Sequence, residues 1–326
     1  MHRFLTPFLS LFKESVIVYW GLLKIIVPVM IIVEACIRAG LIEVLSDWTA
    51  PFMSLFGLPA EAALLLATDL LVGLYPTAVV LLALTPEVSF TTADMTVIGG
   101  MILFAHILPV EQVIVKRAGV SLIFSCATRL IAMVIYGFLA HWIISGLDLF
   151  NEPANILIAI EASETDGSWT EWIISSAKSL FYIFWILTAL IAMLRLLEFL
   201  GITKWILKAL SPALRLIGIG PNAAPLTMVG ILLGLSFGGG LIIREVDKGV
   251  LNPRSVCIAM IFLGFCHSLI EDTLLVIAFG AHWSGVLVGR VLLSILLILP
   301  LAFYIKRMPE GHFRLIYSRK TGPANE

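Results

Sequence analysis

The residues best able to do chemistry in this chain are ionisable groups set in the middle of long apolar stretches. His106 and His267 each sit in such a stretch, and Glu111, Glu271 and Asp272 follow them closely. A charge at the centre of a bilayer costs at least about 2.5–3.5 kcal/mol, so an ionisable residue there marks a pathway or a site. An imidazole beside carboxylates can relay protons near neutral pH or ligate a divalent metal. His267 and Glu271 stand at i and i+4, which places them on one face of a continuous helix, and Asp272 and Thr273 come next. That spacing makes His267, Glu271 and Asp272 the expected proton-relay or metal set, with His106 and Glu111 contributing less. Pro109 should open the helix between His106 and Glu111. The plainer reading is a hydrogen-bonded pair that ties two helices together. Arg129 and Arg290 could neutralise the same carboxylates or meet an anionic group, and charge pairing is the expected role.

A second set surrounds glycine. Thr68, Asp69, Gly73, Tyr75 and Pro76 fall in the apolar segment 60–84; Ser236, Gly238, Gly239 and Gly240 fall in 223–243, with Asn222 just before it. Proline lacks a backbone donor and consecutive glycines are poor helix formers, so both segments are expected to break. Backbone freed at membrane depth must be buried in protein or line a watery cavity. Thr68, Asp69, Gly73, Tyr75, Asn222, Ser236, Gly238 and Gly239, with His106, His267, Glu271 and Asp272, are therefore the candidate solute-binding residues. The alternative is that the glycines only let helices approach closely.

Several of these features occur twice at a single spacing. His267 follows His106 by 161 residues (267 − 106), and Gly40, Pro51, Gly57, Gly73, Phe104, Gly119 and Arg129 meet Gly201, Pro212, Gly218, Gly234, Phe265, Gly280 and Arg290 at the same interval. Apolar segments match by chance easily, but paired Gly, Pro, His and Arg at one offset do not. The chain reads as an internal duplication, a common build among secondary transporters.

The elements that position these residues must be membrane helices. Hydrophobic residues make up 60% of the chain and charged residues 13%, with a mean hydropathy of +1.04, against about 25% charged in a soluble domain. Apolar stretches recur at 15–37, 60–84, 96–115, 119–146, 173–197, 223–243, 255–279 and 281–305, and a span needs about 20 residues. If 60–84 and 223–243 are re-entrant hairpins, each copy has three crossings and the second copy is inverted. Lysine and arginine favour this arrangement, because short cytoplasmic loops collect them. With a cytoplasmic N-terminus the inside then holds Arg3, Lys13, Lys116, Arg117, Arg195, Lys204, Lys208, Arg215, Arg244, Lys248, Arg254, Lys306, Arg307, Arg314, Arg319 and Lys320, and the outside holds Arg38 alone. Two full crossings instead of two hairpins would scatter the basic residues over both sides.

The amphipathic segments 41–57 and 202–218 agree. Glu43 and Asp47 in the first are replaced by Lys204 and Lys208 at matched positions of the second, while Trp48 and Trp205 suit the headgroup level. One copy is expected on the outer surface and one on the inner. Cys36, Cys126, Cys257 and Cys266 lie in apolar segments without C-x-x-C spacing and read as small buried hydrophobes. The net charge of −1 gives no case for nucleic-acid binding.

The fold class is thus an all-α polytopic membrane protein with two inverted-topology repeats, each having three spanning helices, an interfacial amphipathic helix and a Gly-rich re-entrant hairpin. The divisions are a cytoplasmic segment 1–14, repeat 1 at 15–146, an acidic extracytoplasmic linker 147–171, repeat 2 at 172–305 and a basic cytoplasmic tail 306–326.

This layout resembles the nucleoside-recognition, or Gate, domain membrane proteins. The resemblance covers about residues 12–305 and rests on Gly40/Gly201, Pro51/Pro212, Gly57/Gly218, Gly73/Gly234 and the stretch His267-Ser268-Leu269-Ile270-Glu271-Asp272-Thr273. Relatives of that kind include the membrane part of ferrous iron transporter B and spore maturation proteins A and B; concentrative nucleoside transporters have similar re-entrant hairpins. The chain departs from the iron transporter in lacking a GTPase domain and a cysteine placed as a Gate metal ligand.

The expected function is secondary transport of a small polar solute, nucleoside-like or an organic anion, by alternating access, coupled to a proton or other cation. The alternatives are a divalent metal-ion transporter using the His/Glu/Asp cluster and a membrane scaffold acting with a partner. No enzymatic activity and no resident cofactor are expected; His267 to Glu271 is not the H-E-x-x-H zinc pattern. The partners implied are the lipid bilayer, a small polar solute or ion, and a second copy of the chain should it form a homo-oligomer. The expected place is the cytoplasmic (inner) membrane, with both termini inside.

Overall fold

The computed structural model describes residues 2–85, 88–157, 168–201, 205, 208, 212, 214, 216–219, 223–249 and 251–318. Among them every element is helical, apart from two isolated bridges. Five helices are long and apolar enough to cross a membrane: Leu11–Arg38, Thr92–Arg117, Leu122–Gly146, Trp169–Leu197 and Ser284–Arg307.

In chain order the first half comprises α1 (His2–Arg38), α2 (Leu41–Met53) with a 3₁₀ turn, α3 (Ala62–Val72), α4 (Leu74–Leu84), α5 (Thr92–Phe104), α6 (Leu108–Arg117) and α7 (Leu122–Gly146). The second comprises α8 (Trp169–Phe199), α9 (Ala224–Leu233), α10 (Leu235–Asp247), α11 (Pro253–Phe265), α12 (Glu271–Ala278), a π-helical turn Ser284–Gly289, α13 (Arg290–Arg307) and α14 (Glu310–Ile316). Most of the amphipathic segment 202–218 lies outside the described residues, as do residues 158–167 of the linker 147–171.

Burial sorts the helices into a centre and a jacket. Thr92 and Met95–Phe104 of α5 are buried, as are Val256–Phe265 of α11, so both are apolar on every face. Around them α1, α7, α8 and α13 turn large apolar side chains outward, among them Trp20, Ile31, Trp142, Phe181, Leu292 and Tyr304. That inside-and-outside apolar pattern is what a lipid solvent selects.

The stretches expected as continuous spans at 96–115 and 255–279 are both broken. α5 ends at Phe104 and α6 begins at Leu108; α11 ends at Phe265 and α12 begins at Glu271. In the first break the interruption precedes Pro109, which occupies the opening turn of α6, where a missing donor does no harm. The breaks repeat one backbone path. Ala105 and Cys266 share φ near −145° (−146° and −144°), and the next-but-one residues, Ile107 and Ser268, are left-handed at φ 40° and 44°. Thr91 and Asn252, again 161 apart (252 − 91), cap the N-termini of α5 and α11 with their side chains.

α3 and α4 meet at Gly73, and α9 and α10 at Gly234. Both glycines combine φ near 100° (102° and 92°) with ψ near 180° (−178° and 166°), a conformation essentially closed to other residues. The expected breakers are thus displaced. Pro76 sits in the first turn of α4, which it helps to start. Gly238, Gly239 and Gly240 lie inside α10, and a Cβ on Gly238 would stand 2.1 Å from the Gly230 Cα. Gly238 therefore serves close packing of α9 on α10. Each bend docks on the broken span of its own half: the Ile107 N–H donates to the Asp69 carbonyl at 2.9 Å, and the Leu269 N–H to the Ile231 carbonyl at 2.8 Å.

Hydrogen bonds also define the two ends of the molecule. At one, Thr92 and Ala93 donate to the carbonyls of Glu152 and Phe150, Leu157 donates to Ala278, and the His282 N–H donates to Thr96 Oγ1 at 2.8 Å. At the other, Ser121 and Ser318 bond to Ile316 and Gly119, and the Arg254 guanidinium donates to the carbonyls of Ile305 and Met308. The long helices α1 and α8 lie antiparallel, with Glu14 paired to Arg195 at one end and Arg38 over the Trp169 ring at the other.

Candidate functional site

The two broken spans meet at their histidines, whose Nε2 atoms stand 2.8 Å apart. The rings are buried, as are Glu111, Asp272, Arg129 and Arg290.

Arginine builds the frame on each side. Arg129, from α7, donates through Nε to the Phe104 carbonyl at 3.0 Å and through Nη2 to the His106 carbonyl at 3.2 Å. Arg290, from α13, makes the same two bonds, to Phe265 at 3.0 Å and to His267 at 3.0 Å. These are carbonyls that the helix ends at Phe104 and Phe265 leave without an intrahelical donor. A buried guanidinium thus holds each break open.

The side-chain contacts differ between halves. Arg129 Nη1 pairs with Glu111 Oε2, and Glu111 Oε1 lies 2.7 Å from His267 Nε2. Asp272, matched to Glu111, has Oδ2 at 3.6 Å from His106 Nε2 and no hydrogen bond to that oxygen. Arg290 Nη1 likewise has no hydrogen-bond partner. His106 Nε2 is 3.6 Å from Glu111 Oε1.

Backbone carbonyls settle the tautomers. His106 Nδ1 lies 3.3 Å from the Ile102 oxygen and His267 Nδ1 2.6 Å from the Leu263 oxygen. A carbonyl can only accept, so both Nδ1 atoms carry hydrogen, and a ring protonated only there offers a lone pair at Nε2, the atom that faces the other ring. Two lone pairs at that distance repel. A proton or a cation between them turns the repulsion into a bond.

The expected grouping of His267 with Glu271 on one helix face does not form, because α11 ends before His267 and α12 starts at Glu271. His267 turns to Glu111 and His106 instead. Glu271 accepts a hydrogen bond from the Tyr75 hydroxyl at 3.2 Å, so a residue next to the first bend touches the second broken span. Asp69 is buried with neither carboxylate oxygen hydrogen-bonded. Thr68 is buried in α3, Gly73 forms the bend, and Gly238 and Gly239 lie in α10, Gly239 beside Ile114 of α6. Only the backbone of Ser236 is described, and Asn222 lies outside the described residues.

Two features were not singled out from the sequence. Gln112 is buried with neither amide atom hydrogen-bonded, and its counterpart Thr273 has an unpaired buried hydroxyl. A polar residue directly after Glu111 in an apolar run was a usable signal. The left-handed Ile107 carried none, since β-branched residues avoid that conformation.

Comparison with known proteins is consistent with this picture in outline. The chain is similar to a membrane protein. It is 26% identical over 292 residues to the "Uncharacterized membrane protein YvoD" of Bacillus subtilis (strain 168), covering 88% of this chain and 91% of that one. No family model and no solved structure matches.

Proposed function

We propose that this membrane protein is a cation-coupled secondary transporter of a small polar solute, built as an inverted duplication with two re-entrant hairpins. The observation that carries the reading is the meeting of two equivalent broken helices at one buried ionisable centre. Irregular backbone and charge at membrane depth are tolerated where they serve a pathway. Broken half-helices around a central site are the usual transporter solution.

Inversion is supported by the two ends. Thr92 and Ala278 belong to one end, and Arg117, Arg254 and Lys306 to the other, so the matched segments 92–117 and 253–278 run in opposite directions. The second end holds Lys116, Arg117, Arg254, Lys306, Arg307 and Arg314, and this basic cluster favours a cytoplasmic position for it, with the acidic linker outside. The bends at Gly73 and Gly234 reach the histidine breaks from α3–α4 and α9–α10, helices too short to span. Tyr75 and Glu271 form a polar contact between the first hairpin and the second half, and the buried Asp69 lies on the same hairpin. They are the groups placed to meet a solute with hydroxyl or amino donors, such as a nucleoside. Resemblance to the Gate domain proteins accords with this arrangement.

Sidedness tests the architecture. In a cysteine-free background, single cysteines at Lys116 and Lys248 should react with an impermeant maleimide only from the cytoplasmic side, and one at Asn151 only from outside. Reaction of Lys116→Cys and Lys248→Cys from opposite faces would overturn the inverted arrangement. Proteoliposomes then test transport: uptake of labelled uridine or succinate under an imposed proton gradient should depend on Glu111. Flux unaltered in Glu111→Gln would remove the centre from the mechanism.

A further inference from the structure

The geometry points to a binding site for one divalent first-row transition-metal ion between the two halves, held by His106 Nε2, His267 Nε2 and Glu111 Oε1, with Asp272 as fourth ligand. The inference deepens the transport reading by naming the class of cation at its centre, and it rests on that reading only for the ion's role.

Four observations carry it. The three ligand atoms of His106, Glu111 and His267 all lie within 4.8 Å of one another, and every one of these side chains is buried. Both rings are fixed through Nδ1–H to backbone carbonyls, the outer-shell arrangement that orients metal-binding imidazoles and fixes the coordinating nitrogen. Glu111 is held at its other oxygen by Arg129, which leaves Oε1 directed at the rings. Asp272 is the independent pointer to a ligand: Oδ2 is buried, has no hydrogen bond, and faces His106 Nε2 at 3.6 Å.

Stoichiometry separates a metal from a proton. A single proton joins two atoms, whereas three ligand atoms converge here and a second carboxylate, Asp272, stands beside His106 Nε2. Ligand atoms around a tetrahedral ion with bonds near 2.0–2.1 Å stand about 3.3 Å apart. The 2.8 Å and 2.7 Å separations therefore open by about half an ångström on binding, while the 3.6 Å separations close slightly. Two imidazoles with two carboxylates suit Zn²⁺, Fe²⁺, Mn²⁺ or Co²⁺ better than Ca²⁺ or Mg²⁺. The centre has no thiolate in its donor set to select Cu⁺.

The test uses the full chain, stripped of metal with a chelator and titrated with Co²⁺ and Zn²⁺ in detergent. We expect one equivalent bound, visible ligand-field bands of a tetrahedral Co²⁺ site, and displacement by Zn²⁺ but not Mg²⁺. His106→Gln and His267→Gln should each weaken binding by more than the 10–100-fold typical of an outer-shell change. Asp272→Asn should weaken it while keeping the Arg129–Glu111 pair and the fold. His282→Gln, removing a histidine stacked on Phe150 away from the centre, should leave binding unchanged. Absence of stoichiometric metal, or full retention of the Co²⁺ bands in folded His106→Gln/His267→Gln protein, would overturn the assignment. Metal binding without solute or metal flux in proteoliposomes would sink the transport reading and keep the site. Flux that persists in chelator, with no metal bound, would do the reverse.

Discussion

The two halves share one backbone and differ in the reach of one side chain. Around His106 and around His267 the breaks follow the same dihedral path, and a guanidinium clamps the same two carbonyls. Glu111 is long enough to pair with Arg129 and still contact His267, whereas Asp272, one methylene shorter, leaves Arg290 Nη1 and its own Oδ2 unpaired. The backbone frame is matched between the halves, and side-chain length makes the centre asymmetric. An asymmetric centre has one half satisfied within the protein and one half with bonding capacity to spare, which is where a mobile ion can act.

The largest test of that comparison is to remove each arginine. Arg129→Ala strands Glu111 and two carbonyls, and loss of one partner of a buried pair costs about 3–5 kcal/mol. Arg290→Ala strands two carbonyls without breaking an ion pair, and about 1–3 kcal/mol is expected. Thermal unfolding of the two variants in one detergent measures the gap. Equal losses would mean that the halves are energetically equivalent despite their different contacts.

The helix pairs that meet at Gly73 and Gly234 differ in the same way, and the expected effect is smaller. Gly230 and Gly238 touch across α9–α10, whereas their counterparts Asp69 and Thr77 carry side chains, and Thr77 Oγ1 donates to the Gly73 carbonyl at 3.0 Å. A Cβ on Gly238 meets backbone, which cannot swing aside as a side chain can, so Gly238→Ala should destabilise by about 1–3 kcal/mol. Thr77→Ala loses one buried hydrogen bond, worth about 0.5–1.5 kcal/mol. Melting temperatures in the reverse order would show that the α9–α10 pair is the looser.

Much of the frame was legible beforehand because it is written in residues with special backbone or charge properties. Gly73 and Gly234 recur because their conformation excludes a side chain, and Arg129 and Arg290 because a buried guanidinium must have partners. The centre itself was only half legible. His106 and His267 stand out as polar residues in apolar runs, yet their contact joins positions 161 apart, which no local periodicity encodes. Helical spacing even misled at Glu271, since it assumed a helix running through residues 266–270. The break there is held by Arg290 of α13 and by the Leu269 N–H bond to the Ile231 carbonyl of α9, so it is tertiary in origin. Likewise nothing local marks Ile107 for the left-handed region.

The smallest expected effect sharpens the comparison most. If the frames are equivalent, Asp272→Glu should place a carboxylate against Arg290 Nη1 as Glu111 is placed against Arg129. The new charged hydrogen bond favours the folded state by about 1.5–3 kcal/mol, while one extra methylene in a packed site costs about 1–3 kcal/mol. The two nearly cancel, so the melting temperature should move little, whereas metal affinity should fall as Asp272 Oδ2 is drawn from His106. Glu111→Asp alone should destabilise, because the shorter side chain cannot reach both Arg129 and His267. Combining the two exchanges the carboxylates between halves, and a symmetric frame then requires the double variant to recover most of the Glu111→Asp loss. Strict additivity of the two single changes would show that the halves do not share one frame at the level of side-chain reach, whatever their dihedral angles.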